Sequence, residues 1–251
     1  MPHAIIDTKL RTARFPSLEQ RVNKPELLDQ RGFDASELRH NLRDIRRVNR
    51  LFGGTAAVMR HLPQLVTTVP CDQPISILDL ATGSADIPLE ISAWARLAGR
   101  TVSICASDAR AEILEIAREN AAHDPAIYFA AHDATAVDMP GQWFDIVLCS
   151  LALHHFDPGQ AIMVLREMER LSRVGFILND LRRSGLGFAS TWVASRATTR
   201  NRLTRHDAPL SIQRAYTPAE LRWLLHKSGS SNARIFTAPW FRMTAVRSKL
   251  G

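Results

Sequence analysis

The spacing of apolar residues changes period along the chain, and each change marks an element. From Ala35 to about Leu65 the period is helical: Leu38, Leu42, Ile45, Val48 and Leu51-Phe52 share one face at three- and four-residue intervals. Gly53-Gly54 breaks that pattern, and a second helix is predicted from Thr55. Beyond it, short apolar runs of strand length (75–79, 101–108, 126–131, 143–149 and 174–180) alternate with helical stretches at 87–95, 110–121 and 160–172. Strands alternating with helices predict an α/β fold with parallel pairing, because a parallel crossover needs a helix-sized connection. Thr217-Pro-Ala-Glu220 supplies an N-cap, a proline at the first helical position and a glutamate at the third; the helix it opens should end near Gly229. Residues 234–241 and 242–247 predict a closing antiparallel pair at one sheet edge. Two segments lack a clear period. Residues 1–35 read as an arm that is mobile or folds over the site. Residues 182–214 are the least regular portion, with an apolar stretch of helical character at 186–194.

Candidate chemistry gathers where the strands end. Ile75-Ser-Ile-Leu runs into Asp79, then the small-residue turn Ala81-Thr82-Gly83-Ser84-Ala85, then a helix. A strand turning through small residues into a helix brings backbone N–H groups and a helix N-terminus against a ligand, and small side chains let that ligand come close. The second strand ends in Asp108, at the distance where one carboxylate grips both hydroxyls of a ribose. The third ends at His132-Asp133-Ala134, and the fourth runs into Ser150-Leu-Ala-Leu-His154-His155-Phe156. A G-x-G-x-x-G fingerprint follows none of the strands, which counts against a nicotinamide or flavin dehydrogenase.

In this order the elements resemble the motifs of class I S-adenosylmethionine-dependent methyltransferases, from about Ile75 to Asp180. The later motifs are similar to the small-molecule branch that includes enzymes of quinone biosynthesis. The family's first motif is D-x-G-x-G-x-G; here Ala81 and Ala85 replace the outer glycines and Gly83 remains. The resemblance implies a doubly wound, seven-stranded, mostly parallel sheet of the Rossmann-like methyltransferase type, its last strand antiparallel. It divides the chain into an arm (1–35), N-terminal helices (36–70) and a methyltransferase domain (71–251) with a cap insertion (182–215). It also implies S-adenosylmethionine as cofactor, with Asp79, Ala81, Gly83 and Ser84 at its amino-acid part and Asp108 and Ala109 at the ribose. Asp133 and Ala134 would meet the adenine, and Ser150 would lie near the sulfonium. Each acid has a plainer reading as a helix N-cap.

Methyl transfer from a sulfonium is an in-line displacement that alignment and water exclusion accelerate, and a hydroxyl acceptor gains from a nearby base. Histidine titrates in the right range. The candidates are His154 and His155 after strand four, and His206, beside Asp207 in the cap segment; each has a packing role as its alternative. Arg205 and Arg214 could meet an anionic substrate group or remain solvated. The resemblance points to a small aromatic, polyketide or quinone-like acceptor, with a hydroxyl oxygen as the first choice of atom. The alternatives are a carbon of a quinone precursor, or a non-catalytic cofactor-binding partner protein. An N-P-P-Y type of segment, expected after strand four for methylation of a base amine, is absent.

The 251 residues suit one α/β domain with an extension. The net charge of +7 and the excess of arginine over lysine fit nucleic acid, an acidic membrane surface or an arginine-rich genome. No basic run interleaved with aromatics occurs, so nucleic acid is disfavoured as partner. No apolar run approaches the ~18–20 residues of a bilayer span, and no secretion-signal pattern opens the chain. Cys71, Cys105 and Cys149 read as reduced packing residues of a cytoplasmic protein, with no metal set among them. A homodimer is compatible with this reading.

Overall fold

The computed structural model describes residues 18–30 and 32–249, so the first half of the predicted arm lies outside the described residues. Five strands pair in parallel: β1 (Ile75–Leu80), β2 (Val102–Asp108), β3 (Ile127–Ala131), β4 (Phe144–Ser150) and β5 (Ser172–Leu181). Two more complete the sheet, β6 (Arg234–Ala238) at the edge and β7 (Arg242–Ser248) running antiparallel between β5 and β6. The order β3-β2-β1-β4-β5-β7-β6 is the seven-stranded, mostly parallel, doubly wound arrangement that the resemblance implied.

Helices cover both faces, which is why the central strands are apolar on both sides. Ile75 and Ile77 of β1 pack with α2 (Gly54–Met59), α3 (Leu62–Val66) and α4 (Asp86–Leu97), through residues such as Val58, Leu62 and Ile91. Leu78 and Leu80 point the other way, into α6 (Pro158–Leu171) and α9 (Pro218–Ser228), through Leu165, Met168 and Leu224. The N-terminal helix α1 (Ala35–Leu51) lays Leu38 and Leu42 against Ile113 and Ile116 of α5 (Ala111–Asn120). The predicted capping box is present: Thr217 accepts from the Glu220 N–H, and Glu220 accepts in return. Cys105 and Cys149 are buried, Cys71 is exposed, and all three are free. No helix among the described residues is long and apolar enough to cross a membrane.

Residues 182–214 are not irregular. They form two helices, α7 (Gly185–Thr198) and α8 (Arg202–Arg214), started by Ser184, which accepts from the Gly187 N–H, and Asn201, which accepts from the Thr204 N–H. The helical period is hidden because α8 buries Thr204, Asp207, Ser211 and Arg214 alongside Leu203, Leu210 and Ile212. Its interior Pro209 also reads as a helix breaker, since it lacks the N–H that the fourth preceding carbonyl would receive.

Candidate active site

The C-terminal ends of β1, β2 and β4 open into a cavity of about 660 Å³, at the point where strand order reverses between β1 and β4. That volume suits a small-molecule site. The turn after β1 forms its floor. Ala81, Gly83 and Ala85 all adopt left-handed backbone (φ 54°, 56° and 59°). For the two alanines this costs about 1 kcal/mol or more each, and strain of that kind concentrates at ligand clamps. A side chain at Gly83 would meet nothing within 4 Å, so the space above it is open to a guest.

Three buried carboxylates converge on this turn. Asp79 lies beneath it, off the cavity wall; its Oδ2 accepts from the Thr82 hydroxyl at 2.7 Å, and its Oδ1 has no partner. Burial pushes its pKa up to about 7, against the pull of the Thr82 hydrogen bond and with the charges of Asp86 and Asp108 adding to the rise. Asp86 opens α4 and accepts from Asn49 Nδ2 at 2.9 Å and from the Ser84 hydroxyl at 3.3 Å. Asp108 accepts from the Arg110 N–H at 3.1 Å and, weakly, from the Gly83 N–H at 3.4 Å; burial raises its pKa as well. A concentration of partly satisfied buried acids favours a cationic, hydroxyl-bearing guest.

S-adenosylmethionine carries a sulfonium, an ammonium and a ribose diol, and these residues fit it. Ala81, Gly83 and Ser84 would meet the amino-acid end, with Asp79 and Asp86 supplying negative charge, and Asp108 would offer its remaining lone pairs to the diol. Ala109, Asp133 and Ala134 line the cavity farther along the sheet; Asp133 is exposed and accepts from the Thr135 N–H and hydroxyl. Ser150, at the end of β4, accepts from Asn179 Nδ2 at 2.7 Å. The next residue, Leu151, also has a left-handed backbone (φ 55°).

The fourth strand delivers the histidines through a single 3₁₀ turn, Leu153–His155. Buried His154 places Nδ1 2.7 Å from Asp180 Oδ1, while its backbone N–H donates to Asp180 Oδ2. An ionised carboxylate only accepts, so Nδ1 carries a proton, and Nε2 is the ring nitrogen turned away from Asp180. The nearest acid to Nε2 is Glu26 Oε1, at 3.7 Å, too far for a hydrogen bond. Burial would raise the Asp180 pKa, but the charge and hydrogen bond of His154 bring it below the ordinary value. His155 pairs with Asp29 at 2.7 Å. Burial would lower its pKa, but Glu26 and Asp29 raise it to about 9, while the same contact holds Asp29 at about 2.

Glu26 and Asp29 belong to the described part of the arm, which crosses the cavity. Arg21 donates to the carbonyls of His154, Phe156 and Arg214. Asp207 of α8 accepts from the N–H groups of Leu27 and Leu28. Nothing in the periodicity of residues 18–30 marks them as part of a site. Arg214 is buried and donates to the carbonyls of His154, His155 and Lys24. Arg205 likewise donates to the carbonyls of Thr199 and Arg196. Glu26, His154 and His155 offer ligand atoms within 4.8 Å of one another, but the Arg214 guanidinium stands 3.8 Å from the same Glu26 oxygen and already supplies positive charge. His206 is apart from this group: it sits on α8, more than a third exposed, with Nδ1 on Asp207, and does not line the cavity.

A family model described as a methyltransferase domain matches residues 77–175. No curated protein matches the chain by sequence. Among solved structures, the chain is similar to a SAM-dependent methyltransferase from Aquifex aeolicus (13% identity, TM-score 0.57, 86% of this chain and 98% of that one). It is also similar to the CurJ carbon methyltransferase (11%, 0.65, 87% and 62%). A third similar structure is an O-methyltransferase family 2 protein from Planctomyces limnophilus in complex with apigenin (16%, 0.56, 87% and 62%). At these identities the likeness is one of fold, and the chain spans less than two thirds of the latter two. The domain match covers less than half of the chain, and the sheet order across the whole chain is that of the Rossmann-like methyltransferase fold.

Proposed function

We propose that the protein methylates a small aromatic, polyketide or quinone-like molecule at a hydroxyl oxygen, and that His154 is the base. The observation that carries this reading is the His154–Asp180 pair: buried, 2.7 Å apart, at the end of β4, with Nε2 unbonded beside the cavity. Bound on the turn after β1, S-adenosylmethionine supplies an electrophilic methyl on a sulfonium. Asp180 holds the His154 tautomer and stabilises the imidazolium that forms when Nε2 takes the acceptor's proton. The arm across the mouth excludes water, which keeps the deprotonated oxygen nucleophilic. Phenolic and enolic hydroxyls are the class such a base serves, and the exposed position of His206 argues for a structural role there.

A second reading, transfer to the carbon of an enol or quinol, rests on the same dyad. A carbon acid depends on a well-positioned base, whereas a phenol ionises partly unaided. The test is a screen of phenols, quinols and enolisable ketones with wild type, His154→Ala and His206→Ala. His154→Ala should lose about a hundredfold or more in kcat with cofactor affinity intact, and His206→Ala less than tenfold. A loss below tenfold for His154→Ala would remove it from the mechanism, and the carbon or oxygen position of the new methyl in the product decides between the two readings.

A further inference from the structure

We propose that the face around the cavity mouth docks on an anionic lipid surface. Helix α1 carries Arg39, Arg43, Arg46, Arg47 and Arg50. At 3.6 residues per turn these fall within an arc of roughly 100°, away from the buried Leu38, Leu42 and Asn49. Like charges four residues apart oppose a helix, and this one repeats the arrangement at 39/43, 43/47 and 46/50. Arg39 meets Glu119 at 2.6 Å and Arg47 stands 3.9 Å from Asp44. No ion pair joins Arg43, Arg46 or Arg50 to an acid among the described residues, and all three are exposed. Among the described residues no acid relieves these three charges, and an external anionic surface would.

Beside it lies an apolar rim. Turning around α1 from the arginines toward the cavity, one meets Leu51 (64% exposed) and then Val48 (40%), which lines the mouth. Trp240 (58% exposed) meets Phe52 edge-on at 5.2 Å, and both line the cavity. On α7, Trp192 and Val193 are exposed while their neighbours Thr191 and Ala194 line the cavity. That helix has no acidic residue, and the Arg196 guanidinium covers the Trp192 ring at 4.1 Å. Exposed tryptophans beside exposed arginines of α1 and α7 suit the headgroup level of a bilayer, where the rings enter the apolar boundary and the cations meet phosphate. An acceptor dissolved in the bilayer would then enter the cavity directly. This surface is independent of the choice of base and of acceptor atom.

The test is cosedimentation of the full chain with phosphatidylcholine vesicles, with and without phosphatidylglycerol, at low and high salt. Binding should require phosphatidylglycerol and fall with salt. The combined change Arg43→Glu, Arg46→Glu, Arg50→Glu should weaken it by at least about a hundredfold, from roughly fivefold per arginine removed, with repulsion of the new carboxylates adding to the loss. Leu51→Ser with Trp192→Ser and Val193→Ser should weaken it as well, with turnover of a water-soluble acceptor retained in both variants. Absence of phosphatidylglycerol-dependent binding would overturn the proposal. So would charge-dependent binding that the apolar changes leave intact, matched by equal retention on single-stranded RNA. A dimer in solution that Leu51→Ser dissociates would assign the face to a second copy instead.

Discussion

Replacing Asp79 with asparagine should stabilise the cofactor-free protein in a pH-dependent way. In the folded state burial raises this carboxyl from 3.8 to about 7. Between those values the folded protein holds the proton and the unfolded chain releases it. The raised pKa therefore costs stability as pH rises through the window, the reverse of a salt-bridged acid. A difference of about three units at about 1.4 kcal/mol each gives a cost of about 4 kcal/mol at pH 8, falling to about 2 kcal/mol at pH 5, where the unfolded carboxyl is mostly ionised but the folded one is not. Asparagine cannot ionise and escapes this term, whatever it changes in the hydrogen bond to Thr82. The assay is urea unfolding of both proteins at pH 5 and pH 8 without cofactor. The gap between variant and wild type should widen by roughly 2–3 kcal/mol toward pH 8. An equal gap at both pH values would mean that Asp79 ionises normally, and the picture of an acid waiting for a cationic guest would fail.

Three further outcomes are expected. Asp108→Ala should weaken S-adenosylmethionine tenfold or more by calorimetric titration, because the diol loses its acceptor; unchanged affinity would place the ribose elsewhere. Arg214→Gln should destabilise the protein by about 3–5 kcal/mol in denaturant, since it strips a buried cation from Asp29 and from the carbonyls of His154, His155 and Lys24. His155, raised from 6.5 to about 9 by Glu26 and Asp29, holds the arm fully below pH 6.5 and releases that contribution as pH rises through about 9. Protection of residues 18–30 against hydrogen exchange, after correction for the intrinsic base-catalysed rise with pH, should fall across that upper range, and constant protection would show that the ion pair does not fasten the arm.

Much of the sheet was legible because its strands are short, apolar and alternate with amphipathic helices; burial on both faces leaves that record in the composition of β1, β2, β4 and β5. The turn after β1 was legible for a different reason. Close approach of a ligand demands small residues, and Ala81, Gly83 and Ser84 line the cavity as a consequence. The alanines' left-handed backbone could not be read, because alanine disfavours it and only the surrounding packing holds it there. Helix α8 escaped notice because its buried face is built from polar residues with distant partners: Thr204 meets Asn41 and Asp44 of α1, Ser211 meets Glu26, and Asp207 and Arg214 meet backbone groups of the arm and of the His154–His155 turn. Their burial is satisfied across separations of 59 to 190 residues, which no local period records. The same holds for Glu26 and Asp29. Local chemistry in the sequence determined the strands, the turns and the histidines at the end of β4. Tertiary structure alone decided which polar groups leave water together, and so which histidine faces the cavity and which faces solvent.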